Sequence, residues 1–257
     1  MAMSDVIVIG AGPFGLSISS HLRHRGVEHT VVGRPMNTWR NHMPLGLFLK
    51  SEPYGSVISA ATQGYNLENY SRLHGFNDYV ARVGPLSLER FLGYADWFTE
   101  KLIPGTASGG HQRNCVRAGA ARSTIRQPHS GCCPSPFGSA RCLALHLDGI
   151  GQSTMDVDHV IAGTGFRVDV SRLPFLSAEI KSSLVTGADC PLVNRAGESS
   201  VSGLYFAGAH TMVSLGSGVR FTSGTHYTAA RLARSVARRA GRGARTVEPE
   251  LIAAAAS

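Results

Sequence analysis

The sequence has no apolar run approaching the ~20 residues needed to cross a bilayer, which sets aside a membrane-spanning role. It also has no basic leader ahead of an apolar stretch. The first strand-like run begins within a few residues of Met1, so no secretory signal is read. Cysteine is scarce. Five residues, two of them adjacent at Cys132 and Cys133, make neither a disulfide framework nor a Cys-x-x-Cys redox pair, and a reducing cytoplasm is the expected home. No residue is nominated as a metal ligand. Acidic residues are missing between Glu100 and Asp148, where Lys101, Arg113, Arg117, Arg122, Arg126 and Arg141 all fall. A second basic cluster holds Arg231, Arg234, Arg238, Arg239, Arg242 and Arg245, and the formal net charge is +8. Basic segments can bind nucleic acid by counterion release. In the first stretch, however, only Phe137 interleaves with the arginines, so a stacking platform is missing. Solvated basic surface is the preferred reading, with nucleic acid not expected as a partner.

What is present is a chain of 257 residues, enough to bury roughly 70–75% of its unfolded surface in one large or two small domains. Its most informative stretch is Asp5-Val6-Ile7-Val8-Ile9-Gly10-Ala11-Gly12-Pro13-Phe14-Gly15-Leu16. A short apolar run empties into Gly-x-Gly-x-x-Gly, and a helical pattern through Leu22 follows at once. Gly10 permits a tight turn, Gly12 lets backbone approach a pyrophosphate, and Gly15 lets helix and strand pack closely. The helix N-terminus adds free N–H groups and about half a positive charge facing the anion. The motif predicts a dinucleotide site; a glycine-rich structural turn is the alternative.

Residues 5–33 read as strand, helix, strand, with Gly26 as the helix stop and His29-Thr30-Val31-Val32 as the second strand. Residues 34–60 are loop-rich. Leu88, Phe91, Leu92, Ala95 and Phe98 have the spacing of an amphipathic helix between Leu86 and Leu102. Ser87 is its expected N-cap, and Glu89 places a carboxylate in the first turn; Arg90 leaves the capping box incomplete. From Pro104 to about Cys142 neither period can be followed. Alternation resumes at Leu143, Leu145 and Leu147. Residues 156–162 and 203–207 read as buried strands, the latter running into Gly208-Ala209-His210. Gly224 to Arg239 reads as a helix, with Tyr227, Ala230, Leu232, Ala233 and Val236 towards the core.

Taken together, these landmarks give the chain a family resemblance. It resembles the two-dinucleotide-binding-domain flavoproteins, in particular flavin monooxygenases and related FAD/NAD(P)-dependent oxidoreductases. The matching residues are Gly10-Ala11-Gly12-Pro13-Phe14-Gly15, Gly33-Arg34-Pro35-Met36-Asn37-Thr38-Trp39-Arg40, His42-Met43-Pro44 and Leu49-Lys50-Ser51-Glu52. Ala162-Gly163-Thr164-Gly165-Phe166 and Gly203-Leu204-Tyr205-Phe206-Ala207-Gly208 complete the match, which covers roughly residues 1–100 and 143–240.

The resemblance implies an α/β, Rossmann-like FAD-binding domain with a central parallel sheet, a β-meander crossover and an irregular insertion. Residues 1–103 and 143–257 would form its two segments, and 104–142 the basic insertion. Gly10, Ala11, Gly12, Pro13, Phe14 and Gly15 would hold the FAD pyrophosphate. Trp39 and Arg40 would lie where a loop packs against the cofactor, although a core aromatic and a surface charge are equally open readings. Thr164 and Gly165 would mark the chain's return to the FAD domain. Gly208 and Ala209 would lie near the ribityl chain, and the turn at 216–225 near the flavin ring. His210 and His226 are read as structural histidines, and no catalytic side chain is assigned.

The chain also departs from the resemblance in three places. The second strand of relatives usually ends on an acidic residue that binds a ribose; here Gly33 stands there with Arg34 next, and an arginine suits a 2′-phosphate. Ala209 stands where many relatives place an aspartate. Residues 104–142 carry no second glycine motif and are too few for a further nucleotide domain. The expected function is an FAD-dependent oxidoreductase, monooxygenase-like, acting on a small-molecule substrate with NAD(P)H as candidate electron donor. The alternatives are a nucleotide-binding remnant without turnover and an NADP-binding Rossmann protein using Arg34. No feature fixes an oligomeric state.

Overall fold

The computed structural model describes residues 6–77, 84–104, 143–147, 153–157 and 168–241. The chain divides into two units, one of Met1–Cys115 with Val168–Ser257 and the other of Val116–Arg167.

In the first unit, β1 (Val6–Ile9) runs parallel to β2 (His29–Val32), in register from Val6 opposite His29 to Ile9 opposite Val32. Between them lies α1 (Pro13–His24), whose proline at the first helical position has the φ a helix needs and no N–H to leave unpaired. Gly26, at φ +66°, ends that helix as the sequence predicts. Strand periodicity sets the packing. Val6, Val8 and Val31 turn towards a core of Ile18, Leu22, Val27, Ala229, Leu232, Ala233 and Val236. Ile7, Ile9 and Val32 turn the other way and are exposed.

That core joins α1 to the last helix described. Among the described residues up to 104, α1 is followed by α2 (Asn37–Asn41), α3 (Leu67–Leu73) and α4 (Leu88–Leu102). β3 (Phe48–Leu49) and β4 (Leu86–Ser87) form a short antiparallel pair just before α4. The Ser87 hydroxyl accepts from the Arg90 N–H at 3.2 Å, which confirms the predicted cap. Around α4, Phe91, Tyr94, Ala95 and Phe98 are fully buried with Leu16, Met36, Ile58 and Leu67. Each large apolar side chain so buried contributes about 1.5–3 kcal/mol relative to exposure.

Beyond residue 167 come α5 (Ala178–Ser183), α6 (Met212–Leu215) and α7 (Gly224–Arg239). The helix at 224–239 has the predicted bounds, but Tyr227 faces outward. The buried stripe is Thr225, Thr228, Ala229, Leu232, Ala233, Val236 and Ala237, and residue 227 lies on the opposite side of a 3.6-residue turn. In the second unit, β5 (Leu143–Leu147) pairs antiparallel with β6 (Ser153–Val157).

One strand expectation differs from what is seen. The run at 203–207 forms no ladder: Tyr205 makes an isolated antiparallel bridge with Glu198. Its backbone bonds go to a tight local turn, Ser199 N–H to Leu204 O and Phe206 N–H to Gly197 O, which leaves little to pair with a sheet. The run at 156–162 begins in β6, and residues 158–162 lie outside the described residues. Among the described residues, the parallel sheet is the β1–β2 pair.

Candidate functional site: the glycine loop

The turn from β1 into α1 is held by backbone alone. The Gly10 N–H donates to Val32 O at 2.8 Å, and the Leu16 N–H closes the first helical bond on Gly12 O at 2.9 Å. The three glycines have separate duties. Gly10 has φ +103°, which favours glycine. A Cβ on Gly15 would overlap the Gly10 carbonyl oxygen and lie 2.9 Å from its carbon, so this position must be bare for helix and strand to meet. Gly12 is different: its φ of −81° and ψ of −172° suit any residue, and a Cβ there would touch nothing within 4 Å. Its bare face opens onto free space at a helix N-terminus, as does that of Gly10. These are the properties of an anion cradle. The residues present therefore fit a dinucleotide diphosphate.

A second segment closes on this loop. Gly33 has φ +132°, and a Cβ on it would come within 3.3 Å of Ala11 N. The tight approach and the positive φ together make any side chain strained there, at the position where the resemblance implies an acidic residue. Three residues on, Met36 is fully buried in the left-handed region at φ 54°, and its N–H donates to Ala11 O at 2.9 Å. Arg34 projects between these anchors and is exposed.

The remaining expected site residues fall in three groups. Gly208, at φ +73°, lies against the Phe14 ring, where a Cβ would stand 3.3 Å away; it begins a 3-10 turn over Gly208–Thr211. The structure thus brings Gly208 to the glycine loop, with Ala209 half-buried beside it. Trp39 packs edge-on to Phe91 at 4.8 Å between ring centroids, and Arg40 pairs with Asp96 while its Nε donates to Pro35 O at 3.3 Å. Both side chains have partners on or next to α4. Thr164 and Gly165 lie outside the described residues.

Sequence reasoning missed a buried polar seam along α1. Ser17 Oγ donates to Ser59 O at 2.6 Å, His21 Nε2 meets Ser59 Oγ at 3.1 Å, and the Ser59 N–H donates to Thr225 Oγ1 at 3.0 Å. Burial depresses the His21 imidazolium to a pKa of about 4, with Arg25, His24 and His226 adding repulsion. The visible signal was Ser17, Ser19 and Ser20 interrupting an apolar helix. His210 is half-buried against Phe206, and desolvation lowers its pKa.

The family described as FAD binding domain has a model that matches residues 3–46, which span β1, the glycine loop, α1, β2 and α2. No curated protein and no solved structure matches the chain. The match supports an FAD-binding flavoprotein and, with it, a Rossmann-like fold. Among the described residues no helix is long and apolar enough to cross a membrane.

Proposed function

We propose that the chain is an FAD-dependent oxidoreductase of monooxygenase type. The observation that carries the proposal is the open backbone face of Gly10 and Gly12 at the start of α1, with Gly208 set against Phe14 at its edge. Gly10 to Gly15 hold the diphosphate, with Gly208 and Ala209 beside the ribityl chain. The helix N-terminus at Gly224 favours negative charge on the ring system through its aligned N–H groups. Bound FAD supplies the redox chemistry, and the protein supplies binding, orientation and electrostatics. NAD(P)H is the proposed electron donor, and Trp39, Arg40, Thr164 and Gly165 are kept as candidate cofactor-side residues.

Gly33 and Arg34 favour a second reading. With a side chain strained at position 33 and an exposed cation at 34, the ribose end of the loop suits a 2′-phosphate, as in NADP. Purification separates the two. Yellow protein with flavin absorbance bands supports FAD, whereas colourless protein that ignores FAD and is stabilised by NADP supports the second reading. Anaerobic NADPH then tests turnover: bleaching marks an oxidoreductase, and protein that stays yellow marks a binding remnant.

A further inference from the structure

The outer face of α7 carries Tyr227, Arg231, Arg234 and Arg238 in one exposed stripe, at positions i, i+4, i+7 and i+11. From Arg231 to Arg238 the stripe runs about 10 Å along the helix axis at 1.5 Å per residue. Arg25, which caps the end of α1, lies close enough to this stripe that Arg234 and Arg238 help to depress its pKa, after its own desolvation. Among the described residues none of these four arginines has an ion-pair partner, and the Arg25 Nε is buried without a hydrogen bond. Arg239, by contrast, reaches Glu198 at 3.4 Å.

Like charges at i, i+3 and i, i+4 destabilise a helix. The helix dipole repays cations only in the last turn, where Arg238 lies; Arg231 and Arg234 are mid-helix. The three guanidinium groups of the stripe, with Arg25 beside them, therefore carry a stability cost that no ion pair among the described residues offsets.

We propose that this stripe docks a partner protein presenting a row of carboxylates at helical spacing. Arginine rather than lysine suits that partner, because its planar fork pairs with a carboxylate in two parallel bonds. Successive arginines three and four residues apart match Asp or Glu residues three and four apart on a facing helix. The other polyanions fit less well. The Arg231 guanidinium covers one face of the Tyr227 ring at 3.8 Å, and a single tyrosine does not make the row of stacking rings that a nucleic-acid strand uses. Ala229, Leu232, Ala233, Val236 and Ala237 of α7 turn to the core, leaving Tyr227 as the one large apolar side chain on the outer face, too little to anchor the helix in a membrane. A second copy of a chain with net charge +8 brings repulsion.

The test uses the full chain and a fluorescein-labelled helical peptide with glutamates at i, i+3, i+7 and i+11, read by anisotropy. A peptide of equal composition with scattered glutamates serves as the control. The expected result is salt-sensitive binding of the patterned peptide, weakened at least tenfold by R234E/R238E and unaffected by R220E. The double variant should also melt at or above the wild-type temperature, since reversal relieves repulsion. If it fails to fold, R234Q/R238Q is held to the same tenfold criterion. The proposal is overturned by no binding at 50 mM salt, by equal binding of both peptides, or by insensitivity to the double variant. It is equally overturned if a 20-base-pair duplex or phosphatidylserine vesicles displace the patterned peptide at lower charge concentration.

Discussion

Gly12 and Gly15 stand three residues apart in one motif, yet the structure assigns them opposite costs of substitution. A Cβ at Gly12 meets nothing within 4 Å, and its backbone angles suit a β-branched residue. Gly12→Val should therefore leave the empty protein's melting temperature within a degree or two, aided slightly by a less flexible unfolded chain. It should nevertheless abolish FAD binding, because the isopropyl group occupies the space a phosphate needs. In wild type, FAD at 100 times its dissociation constant adds about 2.7 kcal/mol. For a chain of this size that is about 5–11 °C in Tm.

Gly15→Ala should behave in reverse. Replacing glycine by alanine inside a helix normally gains about 1 kcal/mol. Here the new Cβ runs into the Gly10 carbonyl, which is backbone and cannot rotate away. Overpacking of this kind costs roughly 1–3 kcal/mol, and the loop must shift its bond to Val32 to yield. The net expectation is a lower Tm in the empty protein. Thermal unfolding by circular dichroism, with and without FAD, reads both variants. A Gly12→Val protein that keeps the full FAD shift would place the cofactor elsewhere, and a Gly15→Ala protein as stable as wild type would refute the packing argument.

Acid should unfold the protein partly through His21, whose native pKa of about 4 lies below the ordinary 6.5. The unfolded chain binds the proton first, so stability is complete above pH 6.5 and falls as pH drops towards 4. The loss reaches about 3 kcal/mol; urea titrations should show it, and His21→Gln should flatten that slope. Tyr94→Phe removes the hydroxyl that accepts from the Ile58 N–H and donates to Ile58 O, each at 3.2 Å. Leaving that buried amide unpaired should cost about 1–3 kcal/mol in urea denaturation. Arg34→Glu should leave Tm without ligand unchanged and shift any discrimination between NADP and NAD towards NAD, measured as the ratio of the two thermal shifts.

How much of this was legible depended on the range of the forces involved. The bounds of β2, β5 and α7 and the cap of α4 could be read ahead because they rest on neighbours in sequence. Period-2 and period-3.6 spacing of apolar residues marked the elements, a hydroxyl at residue 87 met an N–H three positions on, and proline and glycine punctuated α1. Tyr227 was misplaced because hydrophobic identity was read without the angle around the helix. The 203–207 run looked like a strand because it is apolar, but laddering needs a partner edge, and its own local turn took its N–H groups first.

The site separates along the same line. The glycine spacing exposed the loop, since each glycine answers to atoms a few residues away or to a ligand. Gly33 was read as standing where relatives carry an acidic residue; the strain a side chain would meet there, from a positive φ and from Ala11 N twenty-two positions earlier, has no local signal. The seam from Ser17 and His21 through Ser59 to Thr225 joins residues up to 166 positions apart, and no local pattern encodes it. Three short polar side chains on a helix are individually unremarkable; only the packing of α1 beside α7 makes them costly unless paired. A motif thus discloses the backbone that meets a ligand, while the polar groups that hold that backbone in place emerge only when the helices come together.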